Sequence, residues 1–189
     1  TPLKCDSKEG MCSKCFGLNE DGHTHDTGVN VGVLASHAIG EPLTQMSMNA
    51  FHTGGLAGTA GVGAIDKFDR MKQLVKFPKI LPGSATLSTM EGKVEKVEPD
   101  KVTGGFNVTV SGQSHFVPPR RGLSIKRGQS VKKGDALSAG PKNPLEMLPL
   151  TGIGSVQRYL TDELSQLYGG KSNIQRRNTE VFVRSLTNL

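Results

Sequence analysis

Two groups of residues have the types and spacing to do chemistry. In GEPLTQMSMNAFHTGG, residues 40–55, Gln45, Met48, Asn49 and His52 fall at offsets of 0, 3, 4 and 7, which puts all four side chains on one face of a helix. Two amides, a thioether and an imidazole make a poor core stripe, yet together they suit a nucleotide. His52 can donate to a phosphate, Gln45 and Asn49 can hydrogen-bond hydroxyl or phosphate oxygens, and Met48 offers an apolar contact for a base. The bland alternative for His52 is a histidine packed at the surface beside Met and Phe. Gly54 and Gly55 follow at once and supply a backbone free to hinge.

The second group is Cys5, Cys12 and Cys15, a C-x6-C-x2-C pattern. Two residues between Cys12 and Cys15 let both thiolates meet one metal from a tight turn, the spacing of a zinc knuckle. Structural zinc takes four ligands, so the fourth comes from His23, from His25 or from outside this chain. Free or redox-active thiols are the alternative, since three cysteines cannot all pair as disulfides and a cytosolic setting disfavours disulfides.

Several elements must position these groups, and the expected class is α+β. Residues 1–28, polar and holding all the cysteines, read as a loop-dominated zinc knuckle. Residues 29–85 read as helices around a mobile glycine-rich tip. Val31, Leu34, Ala35 and Ala38 recur at helical spacing up to Gly40-Glu41-Pro42, where proline is expected to stop the helix. A second helix is expected from Pro42 or Leu43 to about His52, and a third from Ala64 to Phe77. From 86 to 145 the period drops to two, in 92–97, 105–110 and 122–125, predicting a small antiparallel barrel or sandwich with a turn at Gly134-Asp135. Gly122–Gly140 has the look of a lipoyl-type hairpin. Lys132 and Lys133 lack the flanking residues of an attachment site, so the hairpin is read as structural. Residues 146–189 read as helices again, with Val156, Leu160, Leu164 and Leu167 on one face, Gly169-Gly170 as terminator, and a last helix from Asn178 or Thr179 with Glu180 in its first turn.

Of 189 residues, 35% are hydrophobic, and the formal charge is +6. This is a soluble globular composition, with no run long enough to span a membrane and no signal-type leader, so the cytosol is the expected compartment. The chain opens on Thr1, as a processed product or a piece of something longer would. The basic clusters around Lys67–Lys79, Arg120–Lys133 and Lys171–Arg184 favour an anionic partner such as nucleic acid. Aromatic residues are only 5% and Trp is absent, which argues against base-stacking platforms and for contacts to backbone phosphates.

Gly32–Pro42, reading GVLASHAIGEP, followed by Thr44–Gly55, reading TQMSMNAFHTGG, closely resembles the trigger-loop region of the largest subunit of multisubunit RNA polymerases, called beta-prime in bacteria. The IGEP turn, the TQ pair and the FH-x-GG ending occur together and in order. Cys5, Cys12 and Cys15, with Phe16-Gly17 and Gly22-His23, resemble the zinc site just upstream of that loop, whose fourth cysteine lies earlier in the subunit. Residues 141–186, notably Gly152-Ile153, Val156, Arg158-Tyr159, Glu163 and Glu180–Arg184, resemble the clamp-base segment that includes a switch element contacting template DNA. The departures are His37 for the usual Gln, Leu43 for the bacterial Gly, and Asn49 for the bacterial Arg, although archaeal and eukaryotic homologues carry Asn there. The link from the trigger region to the β module is short, and neither the Asp-rich NADFDGD motif nor a bridge helix occurs in these residues.

The resemblance implies a DNA-directed RNA polymerase part, inactive alone, that works with a beta-like subunit, the remainder of beta-prime, template DNA, RNA product and nucleoside triphosphates. It implies Gln45 at the ribose, Met48 at the base, and Asn49 and His52 at the triphosphate, with His52 a catalytic candidate. Gly54 and Gly55 would be the hinge, and Arg158, Arg176 and Arg177 are candidates for DNA contact. Zinc would be structural, and the catalytic magnesium would be bound elsewhere in the assembly. By analogy with large bacteriophages whose subunits are split, the expected source is a phage polymerase acting in the cytoplasm of an infected bacterium, with virion packaging open. A free-standing zinc-containing DNA-binding regulator is the rival reading.

Overall fold

The computed structural model describes residues 1–54, 67–168 and 174–188. They cluster into two compact units, one of Thr1–Lys76 with Gln157–Leu189 and one of Phe77–Val156. No helix among the described residues is long and apolar enough to cross a membrane.

The first unit is helical. A 3-10 turn, Pro2–Lys4, leads through the cysteines to α1 (Ser13–Phe16), and α2 follows as Val31–Gly54. Asn30 caps α2, its Oδ1 accepting from the Val33 amide at 3.1 Å. Here the structure corrects the sequence reading, because α2 is one helix running through Pro42 rather than two meeting at it. Proline removes one i to i−4 hydrogen bond and crowds the preceding turn, at a cost of about 3 kcal/mol. Ala35 and Ile39 offset that cost by burial, with Ala35 joining Phe16 and Val181 in the unit's apolar cluster. The hydroxyl of Thr44 donates to the Gly40 carbonyl at 3.0 Å, giving one acceptor in this turn a further partner.

The helix expected from Ala64 is α3, Lys67–Lys76, with Arg70, Met71 and Leu74 on its buried side; the start at 64–66 lies outside the described residues. Helix α5 (Ile153–Tyr168) buries Leu160, Leu164 and Tyr168 within this unit. The strict i+4 spacing brings Tyr168 into the stripe where Leu167 was expected. The Gly169-Gly170 terminator lies outside the described residues. Helix α6 starts earlier than expected and covers Arg176–Thr187, with Gln175 at its N-cap and no acidic residue in the first turn. Glu180 is therefore mid-helix, where its carboxylate takes a hydrogen bond from Arg176 Nε at 3.0 Å.

The second unit is built on β1 (Gly92–Pro99), β2 (Phe106–Val110), β3 (Gln113–Val117) and β4 (Ser130–Val131), in the order β3-β2-β1-β4, all antiparallel. The sheet curls as half a barrel, helped by an irregularity between Val94 and Lys96 in β1 that sharpens its twist. Its core cluster joins Val94, Val108, Val110, Val117 and Val131 of the strands to Ile125 and Leu137 of the connecting segments. Ser111 and Gly112, both at positive φ, form the two-residue turn that joins β2 to β3. The run 122–125 is no strand and pairs only through an isolated Leu123–Ser138 bridge. The turn at Gly134-Asp135 is present: Gly134 has φ +83, and Asp135 Oδ2 accepts from the Lys132 amide at 2.8 Å. Helix α4, Pro144–Thr151, opens ahead of the expected helical segment and is capped by the buried Asn143.

Candidate functional site

The cysteine group assembles. Cys12 is the N-cap of α1, so the first helical turn carries Cys15 back toward it. The 3-10 turn ends at Cys5, which is buried. The three sulfurs lie within 4.8 Å of one another, compatible with the sulfur–sulfur edge of roughly 3.8 Å in a tetrahedral thiolate site with metal–sulfur bonds of about 2.3 Å. The electrostatics fit as well. The Cys12 amide points at Cys5 Sγ at 3.4 Å, and with the Ser7 amide it lowers the Cys5 pKa to about 7, while the neighbouring Cys12 thiol raises that of Cys15. One sulfur is thus a ready thiolate near neutral pH, the form that binds metal.

Neither histidine joins the group. The backbone of His23 closes a small turn with Asn19. The ring of His25 packs edge-on against Phe16 at 4.9 Å.

Two arginines of α6 hold this knuckle in place. Arg184 Nη1 donates to the carbonyls of Pro2 and Cys5, each at 2.8 Å. Arg177 Nη1 donates to the carbonyls of Phe16 and Leu18, and its guanidinium lies 4.9 Å from the Phe16 ring centre, within cation–π range. Arg176 pairs with Asp162 at 2.8 Å and with Glu180 at 3.0 Å, and Asp162 raises its pKa further. Of the three arginines named for DNA contact, two therefore make hydrogen bonds within their own unit. Arg158 lies on α5 and also has an intramolecular partner.

The second group lies on α2. Gln45 and Met48 are exposed, Met48 by 56%, so no core claims them. Asn49, His52 and Gly54 belong to the same helix; the side chains of Asn49 and His52, and Gly55 altogether, lie outside the described residues. A pocket of about 550 Å³ runs along this helix past Leu34, Ala38, Glu41 and Gln45.

Sequence reasoning missed Arg70. The residue is buried on the apolar side of α3 beside Met71 and Leu74, and it meets Glu163 and Tyr159 of α5. The signal was a charge one turn from Leu74 on an apolar stripe, which requires a buried partner.

The family model described as RNA polymerase Rpb1, domain 5, matches residues 4–109. The chain belongs to this RNA polymerase family. The matched residues take in the cysteine group, all of α2 and α3, and β1. Along its full length the chain is 36% identical to the DNA-directed RNA polymerase subunit beta' of Ureaplasma urealyticum serovar 10. Over 97% of its length it is 34% identical to the subunit of Clostridium perfringens strain 13 and 35% identical to that of Thermobifida fusca. The similarity is to the C-terminal part of that subunit. The chain spans 15%, 16% and 14% of the lengths of these relatives.

Proposed function

We propose that this chain serves as the C-terminal part of a beta-prime-like subunit of a DNA-directed RNA polymerase and provides its trigger loop. The observation that carries the reading is the exposed Gln45–Met48 stripe on an unbroken α2, inside a segment matched by the family. Gln45 addresses the ribose hydroxyls of the incoming nucleoside triphosphate, Met48 its base, and Asn49 and His52 its phosphates, with Gly54 and Gly55 as the hinge. A matched nucleotide completes contacts that a mismatched one cannot reach, so closure converts binding into selectivity. The RNA 3′ oxygen then bonds to the α-phosphorus as the bond to the β-phosphate oxygen breaks, its proton passes to solvent, and His52 faces the leaving pyrophosphate as a general acid or as a positive, orienting donor. Magnesium, held by residues outside this chain, would supply the Lewis-acid chemistry of the step.

The cysteine group would hold a structural zinc through Cys5, Cys12 and Cys15, with a fourth ligand from another segment of the polymerase. Arg158, Arg176 and Arg177 are the candidates for contact with template DNA. For all three this contact requires sharing or exchanging their intramolecular partners. The partners are a beta-like subunit, the remainder of beta-prime, DNA, RNA and nucleoside triphosphates. The setting is the cytoplasm of a bacterium infected by a phage that encodes its polymerase in pieces.

The test is single-nucleotide addition by the assembled polymerase carrying His52→Gln or Gln45→Ala. The reading predicts a slower step with a flattened pH profile for His52→Gln and a reduced preference for ribose over deoxyribose for Gln45→Ala. Wild-type rate, pH profile and sugar preference in both variants would remove the α2 stripe from the nucleotide site.

A further inference from the structure

Arg70 occupies the buried side of α3, where a charge needs partners, and each of its guanidinium nitrogens has one. Nε and Nη2 reach Glu163 Oε2 at 3.2 and 2.5 Å, Nη2 also reaches the Tyr159 hydroxyl at 3.1 Å, and Nη1 reaches Gln73 Oε1 at 3.3 Å. Only 10% of the Arg70 side chain and 26% of the Glu163 side chain is exposed. Tyr159 and Glu163 stand one turn apart on α5, so they face Arg70 together. A second contact joins the same two helices, with the Tyr168 hydroxyl 3.9 Å from Met71 Sδ.

Helix α3 has ten residues, fewer than the roughly 12–15 at which an isolated helix persists in water. Its pose is therefore set by what it packs on. Helix α3 also packs on α2, where Phe68, Met71 and Val75 share with Ile39 and Leu43 the walls of a cavity of about 400 Å³. Toward α5 its pose is fixed by the arginine's directional bonds. A planar guanidinium bonded to both Glu163 and Tyr159 of α5 admits far less displacement than an apolar contact.

We propose that Arg70 is a positioning residue for nucleotide addition: it fixes α3 to α5 and, through α3, sets the pose of α2 and of the Gln45–Met48 stripe. The proposal rests on the trigger-loop reading above. It deepens that reading by assigning the alignment of the nucleotide-facing helix to an ion pair that touches neither nucleotide nor template. Loss of the footing lets α2 shift, and displacements of about 1 Å at a reacting geometry cost up to a hundredfold in rate.

The experiment uses the assembly that co-purifies with the full chain, given a DNA template, an RNA primer and either a ribonucleoside triphosphate or its 2′-deoxy counterpart. Values of kcat and KM are measured for wild type, Arg70→Met, Arg70→Lys and Glu163→Gln. Arg70→Met is expected to lower kcat/KM for the ribonucleotide at least tenfold and the ribose-over-deoxyribose preference at least threefold. Arg70→Lys restores part of both, and Glu163→Gln adds less than twofold to Arg70→Met. The sugar preference is the deciding quantity, because a loss of folded chain lowers both substrates equally. An unchanged preference in an assembled Arg70→Met polymerase overturns the proposal. Should that variant fail to assemble, Tyr159→Phe and Arg70→Lys serve instead, and an unchanged preference in both overturns it. A wild-type assembly that adds no nucleotide would overturn the trigger-loop reading itself, which is a separate outcome.

Discussion

Replacing Arg184 with Met should loosen the cysteine knuckle from a point 179 residues away in sequence. Arg184 Nη1 donates to the carbonyls of Pro2 and Cys5 at 2.8 Å each, so α6 holds both ends of the opening 3-10 turn. Hydrogen bonds from a charged donor contribute about 1.5–3 kcal/mol each. One nitrogen shared by two acceptors in a half-exposed setting brings the pair to about 2 kcal/mol. Methionine keeps most of the stem's packing and removes the donor. For a chain of this size, about 2 kcal/mol corresponds to a fall of about 4–8 °C in melting temperature. Where the cost falls on the ordered knuckle, the same energy weakens metal binding about thirtyfold. The assay is thermal unfolding of the full chain, with zinc competition against a chromophoric chelator. A melting temperature within 1 °C of wild type, as an order-of-magnitude threshold, with unchanged zinc affinity would refute the bracing role.

Two further outcomes follow from titrating groups. Tyr168 is buried, and burial raises its pKa to about 12; because the folded state keeps the proton, stability should fall as pH rises from about 10 to 12, by about 2 kcal/mol. Tyr168→Phe should remove that alkaline loss, and urea midpoints that fall equally in both proteins would contradict it. For Cys5, with its pKa lowered to about 7, the folded metal-free chain should gain stability as pH rises from about 7 toward 9 and lose it on acidification. Ultraviolet thiolate absorbance should show one midpoint near 7 that Cys5→Ser deletes, and a single midpoint near 9 for all three thiols would contradict it.

Much of the fold was legible where local pattern and burial agree. The period of two in 92–97 and 105–110 became β1 and β2, and the C-x2-C spacing became a turn that gathers three sulfurs. Strand β3 was hidden because Gln113, Ser114 and His115 are polar; its inward positions are His115 and Val117, and the His115 Nε2 accepts from the Thr89 amide at 3.0 Å. Proline misled in the other direction, since a local rule against Pro42 in a helix was overridden by the burial of Ala35 and Ile39. The α2 stripe was visible because its spacing needs only one helix. The Arg70–Glu163 and Arg184–Cys5 contacts were not, because they join residues 93 and 179 apart, and no local period encodes such pairings.

The central claim, that this chain works as part of a DNA-directed RNA polymerase, is tested most directly by affinity purification of the tagged full chain from its native source. The recovered material is identified by mass spectrometry and assayed for template-directed RNA synthesis. The account predicts beta-like and beta-prime-like subunits in stoichiometric amounts and RNA synthesis that depends on template and all four nucleotides. Recovery of this chain alone, binding zinc and DNA without partners, would contradict it and favour a free-standing regulator.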